Sequence, residues 1–295
     1  AESLQCASVQ RAFVEPMSDL HEEEVEFRPG RRLRVISGGP AEGRICLFVH
    51  GAGGRADQFA HQLRFCLDSG CAVAAFDMLG HGGSPKPNEP AAYTFAEFAA
   101  DLVAFFDRYH RTDTSLIAHS YGTALSMELA SVLLNRKDAS TQALRNMVLL
   151  GPSANKPGTG GPLLYIPCFV LEWLRPLARD GFNAKAFHVD TDRALIQREN
   201  EITGTNPMTV MRALGRGMDW KVPDQPAYTW PTLLICGETD GLTPVEGARE
   251  LLGKLPNSRL EVVMGTSHNM MLEKPDEVNK LLSEFLKLNS ALARM

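Results

Sequence analysis

The chain has 295 residues, of which 44% are hydrophobic and 22% charged, the make-up of a soluble globular protein with one large core. Its formal net charge of −5 offers no basic field to phosphate backbones or an anionic membrane, which argues against a nucleic-acid partner. The longest nearly uncharged stretch, Pro157 to Leu171, is broken by glycines and prolines and falls short of the ~20 apolar residues that span a bilayer, so no transmembrane segment is expected.

In chain order, Ala1 to Gln10 carry acidic and polar residues where a secretory leader needs an apolar run. Residues 1–21 therefore read as an N-terminal extension, and a cytoplasmic location is expected. Val25 to Arg28 and Leu33 to Ile36 alternate about the turn Pro29-Gly30, which predicts an edge hairpin. Ile45 to Val49 is a continuous apolar run suited to a strand buried on both faces, followed by a glycine-rich loop and a helix around Asp57 to Leu67. Ala72 to Phe76 is the next strand. A helix over Phe95 to Tyr109 follows, with Thr94 and Glu97 as a capping box. Leu116 to Ala118 leads into a helix over Tyr121 to Leu134, and Met147 to Leu150 is another strand.

The alternation then lapses until Thr232 to Cys236. It resumes with a helix opening at Thr243-Pro244, capped by Thr243 with Glu246, then a strand over Leu260 to Val263 and a last helix from Pro275 to about Leu288. This order predicts an α/β fold: a mostly parallel sheet of about eight strands with helices on both faces. The core covers 22–152 and 229–289, and 153–228 is an insertion.

Between a predicted strand and helix lies Ala118-His119-Ser120-Tyr121-Gly122, a variant of G-x-S-x-G with alanine at the first small position. Small residues on either side of Ser120 suit a turn so sharp that strand and helix backbones nearly touch. A serine hydroxyl is a weak nucleophile at neutral pH and needs a base, itself held by a third group. His268, in Gly265-Thr266-Ser267-His268-Asn269 after the last strand, fits the base. Asp240, in Gly237-Glu238-Thr239-Asp240-Gly241, fits the acid, with Glu238 as its rival. The order serine, acid, histidine is that of a hydrolytic triad. His50-Gly51-Ala52-Gly53-Gly54 follows the first buried strand and suits an oxyanion hole, in which the backbone N–H groups of Ala52 and Tyr121 face a developing negative charge. Gly51, Gly53 and His119 are expected to line the substrate site.

The six cysteines are scattered through apolar runs and read as buried thiols of a reducing compartment, a Cys66–Cys71 disulfide being the alternative. Neither the histidines nor the cysteines show metal-ligand spacing, and no cofactor is expected. A competing pattern is Gly51-x-Gly53-x-x-Ala56 followed by Asp77, which matches a dinucleotide fingerprint. That reading leaves Ser120 and His268 unexplained, and no tyrosine has a lysine four residues later, as many short-chain reductases require. Asp77 to Ser84 then reads as a structural loop, with His81 holding backbone.

Taken together, H-G-A-G-G, D-M-L-G-H-G-G-S, A-H-S-Y-G, G-E-T-D and S-H resemble the α/β-hydrolase superfamily from Glu22 to Asn289, and among its members the eukaryotic alpha/beta-hydrolase domain-containing serine hydrolases; H-G-A-G is also similar to monoacylglycerol lipases. The resemblance implies that 153–228 is a cap roofing the site, with glycines and prolines over 158–162 and 223–231 as hinges. The apolar run Leu163 to Leu174 would then face an acyl group, through Leu164 and Phe169. The expected reaction is hydrolysis of a small-molecule carboxylic ester or thioester, with a lipophilic acyl group among the candidates. Cleavage of a carbon–carbon bond by the same triad, or ligand reception with little turnover, are the alternatives. Epoxide and haloalkane hydrolases use a carboxylate where this chain has Ser120.

Overall fold

The computed structural model describes residues 19–136, 138–156, 161–220 and 228–288. Eight strands form one sheet in the order β1-β2-β4-β3-β5-β6-β7-β8: β1 (Leu20–Arg28), β2 (Arg31–Gly38), β3 (Ile45–Val49), β4 (Ala72–Phe76), β5 (Thr114–His119), β6 (Leu144–Leu150), β7 (Thr232–Gly237) and β8 (Ser258–Val263). β1 and β2 pair antiparallel, as do β2 and β4, while every pair from β4 to β8 is parallel. The expected fold class is thus the observed one. Gly30 makes the β1–β2 turn at φ +75°, a conformation that side chains with a Cβ resist.

Parallel strands covered by helices on both faces have no solvent side, so β3, β4 and β5 are buried at every position. The two-residue period of a strand sends alternate side chains into two separate cores. Leu47 and Val49 join Phe98 and Phe105 of helix α2 (Phe95–Tyr109) and Leu125 of α3 (Tyr121–Arg136). Cys46 and Phe48 face the other way, with Leu63 of α1 (Ala60–Asp68) and Leu282 of α10 (Pro275–Leu286). Cys46, Cys66 and Cys71 are buried free thiols, so Cys66 and Cys71 are not bridged. Cys6 lies outside the described residues, as does most of the extension expected over 1–21, whose end already belongs to β1.

Two expected helix caps differ. Thr94 accepts the Glu97 N–H at 3.3 Å, but the Glu97 carboxylate turns to Arg28 Nη2 at 2.8 Å, because Arg28 is drawn there by the fully buried Asp101. The short helix α4 (Ala139–Ala143) precedes β6, and α8 (Val245–Leu252) follows β7. α8 has no side-chain cap, since the Thr243 hydroxyl is engaged elsewhere.

Between β6 and β7 stand a short 3₁₀ turn (Gly161–Tyr165) and three helices, α5 (Cys168–Ala186), α6 (Arg193–Gly204) and α7 (Met208–Gly217). α5 leaves Phe169, Trp173 and Leu177 exposed along one face at spacings of four. No described helix is long and apolar enough to cross a membrane. Most of the glycine- and proline-rich stretches expected as hinges lies outside the described residues.

Candidate active site

Ser120 occupies the single residue between β5 and α3, at φ +52°. A side chain in this left-handed region costs about 1–2 kcal/mol relative to the right-handed one, so surrounding structure must hold it there. Its N–H donates to Leu150 O at 2.8 Å, tying the turn to the end of β6. Gly122 lets α3 start hard against β3, for a Cβ there would stand 2.6 Å from Val49 O and 2.7 Å from His50 O. A Cβ on Gly51 would meet Ser120 Cβ at 2.8 Å. The sharp turn expected from A-H-S-Y-G is therefore present, with glycine required at 51 and 122 by close approach.

Asp240 and His268 sit on the loops after β7 and β8, where the carboxyl ends of the parallel strands converge. His268 Nδ1 is 2.8 Å from Asp240 Oδ2. The Asp240 side chain is fully buried, and its Oδ1 accepts from Leu242 N at 2.9 Å and Thr243 N at 2.8 Å. Oδ2 also accepts from Thr243 Oγ1 at 2.8 Å, and that hydroxyl lies 3.1 Å from His268 Nδ1. Burial by itself raises the Asp240 pKa, but His268 beside it, their hydrogen bond and the two backbone amides outweigh burial and hold it below the ordinary carboxylate value. An ionised carboxylate only accepts, so Nδ1 of His268 donates to it, and in the neutral ring Nε2 is the nitrogen that keeps a lone pair. Glu238 is exposed and accepts the Gly265 N–H at 2.8 Å, so of the two carboxylates it is Asp240 that stands beside His268.

Three further histidines are buried and hold backbone. His119 Nε2 donates to His268 O at 2.9 Å, and burial first, then the neighbouring His268, push its pKa down to about 3. His50 Nε2 accepts from Met78 N at 2.9 Å, and His81 Nε2 accepts from Gly53 N at 3.0 Å while its Nδ1 donates to Leu79 O at 3.0 Å. These bonds need neutral rings, and they fix the His50–Gly54 loop against the Asp77–Ser84 loop. Asp77 is likewise occupied: it accepts from Ala56 N at 2.7 Å, Gly83 N at 2.8 Å and Arg34 Nη1 at 3.0 Å. A carboxylate so engaged has no free geometry for a ribose, which removes the dinucleotide alternative.

Ser120 and His268 line one cavity of about 210 Å³, together with Gly51, Ala52, Gly53, His119 and Tyr121. Its far wall comes from the helices between β6 and β7, through Phe182, Asn183, Glu199, Asn200 and Thr203, and from Met218 and Trp220 beyond them. Leu164 and Phe169, expected against the substrate, do not line it. Phe169 is 77% exposed, and Leu164 packs over Gly215. α5 meets the cavity only near its C-terminal end, at Phe182 and Asn183, so its more apolar first turns lie away from the site. From the sequence Thr243 is expected only as a helix cap and Glu199 is not singled out, because a threonine before a helix and a glutamate within one both suit ordinary helix roles. Among the described residues no group of three or more His, Cys, Asp and Glu is placed to hold a metal.

A family model described as Alpha/beta hydrolase family matches residues 46–281, which include all of these groups. The chain belongs to the alpha/beta hydrolase family. Among curated relatives it is 32% identical over 264 residues to "Protein ABHD8" of Mus musculus, covering 87% of this chain and 58% of that protein. It thus spans less than two thirds of the length of the ABHD8 relatives it matches. Among solved structures, an esterase from Exiguobacterium antarcticum superposes with a TM-score of 0.78 at 20% identity, over 90% of this chain and 100% of that one. A 2-hydroxy-6-oxo-6-phenylhexa-2,4-dienoate hydrolase from a Rhodococcus strain gives 0.71 at 16% identity, over 91% and 99%. At these identities the superpositions establish the alpha/beta hydrolase fold.

Proposed function

We propose that the chain is a serine hydrolase of small carboxylic esters or thioesters. The observation that carries this reading is the 2.8 Å pair between the buried, ionised Asp240 and His268 Nδ1, in the same cavity as a serine held at positive φ. His268 Nε2 takes the proton from Ser120 Oγ as the oxygen attacks the carbonyl carbon. The same imidazolium then protonates the leaving alcohol or thiol, and a water molecule, activated by the same nitrogen, frees the acyl group from the enzyme. Asp240 keeps the imidazole in the Nδ1–H form and stabilises its charge. The N–H groups of Ala52 and Tyr121 would receive the oxyanion, each such donor being typically worth ~3 kcal/mol in the transition state.

Residues 153–228 act in this reading as a cap that roofs the cavity. A volume of about 210 Å³ is below the ~300–1,000 Å³ of sites for drug-sized ligands, which supports a short acyl group over a long chain. The test is a panel of p-nitrophenyl esters from acetate to palmitate with an acyl thioester, run on wild type, Ser120→Ala and His268→Ala. Activity on the short esters, lost in both variants, is the expected result. A folded protein inactive on every ester and thioester would overturn the reading in favour of carbon–carbon cleavage or ligand reception.

A further inference from the structure

α6 is a surface helix, and of its twelve residues Glu199 alone is buried, at 3% exposure. The inward position of an amphipathic helix calls for an apolar side chain, because a carboxylate taken from water loses solvation that a single neutral hydrogen bond does not replace. Here the neutral bond is the one from Gln58 Nε2 to Glu199 Oε2 at 2.8 Å. Gln58 is oriented for it, since its Oε1 accepts the Arg55 N–H at 3.3 Å and its amide nitrogen is left to face the carboxylate.

Glu199 lines the same cavity as Ser120. Among the residues that line that cavity Glu199 is the one carboxylate, and no lysine or arginine is among them, so Arg198 and Arg55 act on it from outside the lining. The same cavity is lined by four aromatic rings, Tyr121, Phe182, Phe187 and Trp220. A cavity that holds both a carboxylate and aromatic rings is suited to receive a cation, through direct charge attraction and the negative face of a ring.

We propose that Glu199 marks a subsite for a positively charged ammonium group carried on the acyl part of the substrate. This rests on the hydrolase reading for its chemistry, and it narrows the substrate class to small cationic acyl esters. Burial raises the Glu199 pKa, against the lowering influence of the Gln58 bond and of Arg198 and Arg55, so the group gains most from a ligand that brings positive charge with it. Asn206 Nδ2 donates to Gly53 O at 2.9 Å and ties the end of this helical segment to the loop beside Ser120, which fixes the subsite relative to the serine.

The experiment compares the p-nitrophenyl esters of 4-(trimethylammonio)butyrate and of its uncharged isostere 5,5-dimethylhexanoate in wild type and Glu199→Gln, which keeps size and hydrogen-bonding shape. Wild type should prefer the cationic ester by about tenfold or more in kcat/KM, and the variant should lose that preference. A residue that merely pins α6 through Gln58 would lower both rates together and leave the ratio unmoved. An unchanged ratio in the variant, or a wild-type preference for the neutral ester, would overturn the proposal. Calorimetric titration of wild type with tetramethylammonium keeps the question open to decision if Glu199→Gln fails to fold or if no ester is hydrolysed: heat of saturable binding supports the subsite, and its absence overturns it independently of turnover.

Discussion

The hydroxyl of Thr243 donates to Asp240 Oδ2 at 2.8 Å, onto the same oxygen that meets His268 Nδ1. With two backbone amides on the other oxygen, the carboxylate is held from three directions and cannot rotate away from the imidazole. Thr243→Val removes this bond and leaves shape unchanged. A hydrogen bond to a charged group is worth about 1.5–3 kcal/mol, so kcat should fall roughly tenfold or more, with Thr243→Ser restoring most of it. Steady-state kinetics of the two variants on one short ester decide the matter; equal losses in both would show that the hydroxyl is irrelevant.

Asp240→Asn should lower kcat by about 10³–10⁴-fold, since an amide facing Nδ1 favours the wrong tautomer of His268. Glu238→Gln should leave kcat within about twofold, because that exposed side chain accepts from the Gly265 amide and Asp240 is the carboxylate beside His268. The pair of rates assigns the acid without any further structure.

Ser120 offers a stability test that does not depend on turnover. Its φ of +52° strains any residue with a Cβ, and glycine is free of that strain. Ser120→Gly should therefore be more stable than Ser120→Ala by about 0.5–1 kcal/mol, the relief of left-handed strain being partly offset by the greater freedom of glycine in the unfolded chain. Both variants should be inactive. Denaturant midpoints measured side by side check the sign.

The buried histidines predict how stability responds to acid. Burial lowers the pKa of His81 and of His119 to about 3 in the folded chain, against about 6.5 when unfolded. Between those values the unfolded state binds the extra protons, so stability is fully present above pH 6.5 and is lost as pH falls. Each histidine contributes up to about 1.4 kcal/mol per pH unit in that window. Urea unfolding at steps from pH 7 to pH 4.5 should show this decline, and His81→Gln should reduce its slope by about one proton. A flat profile would mean that these rings are protonated in place.

Much of the sheet was legible in the sequence, because a strand buried on both faces has to be a continuous apolar run: Ile45–Val49 and Ala72–Phe76 fall where the sequence places them. The short helices α4 and α9 (Met270–Glu273) were not legible, being too brief to show a period. The cap at Thr94 and the one at Thr243 illustrate a second limit. Both sequences carry the right spacing, yet Glu97 goes to Arg28 and Thr243 to Asp240, because partners remote in the chain compete for the same side chains.

Local pattern by itself determined the fold, the strained serine turn and the serine, acid, histidine order, since close backbone packing and strand alternation leave marks within a few residues. Tertiary structure alone decided which carboxylate reaches His268, that Thr243 completes the pair, and that the cavity holds Glu199 rather than Leu164 or Phe169. Those outcomes depend on how loops at neighbouring strand ends converge and which face α5 and α6 turn inward. Packing between distant segments sets both, and no short spacing in the chain encodes it.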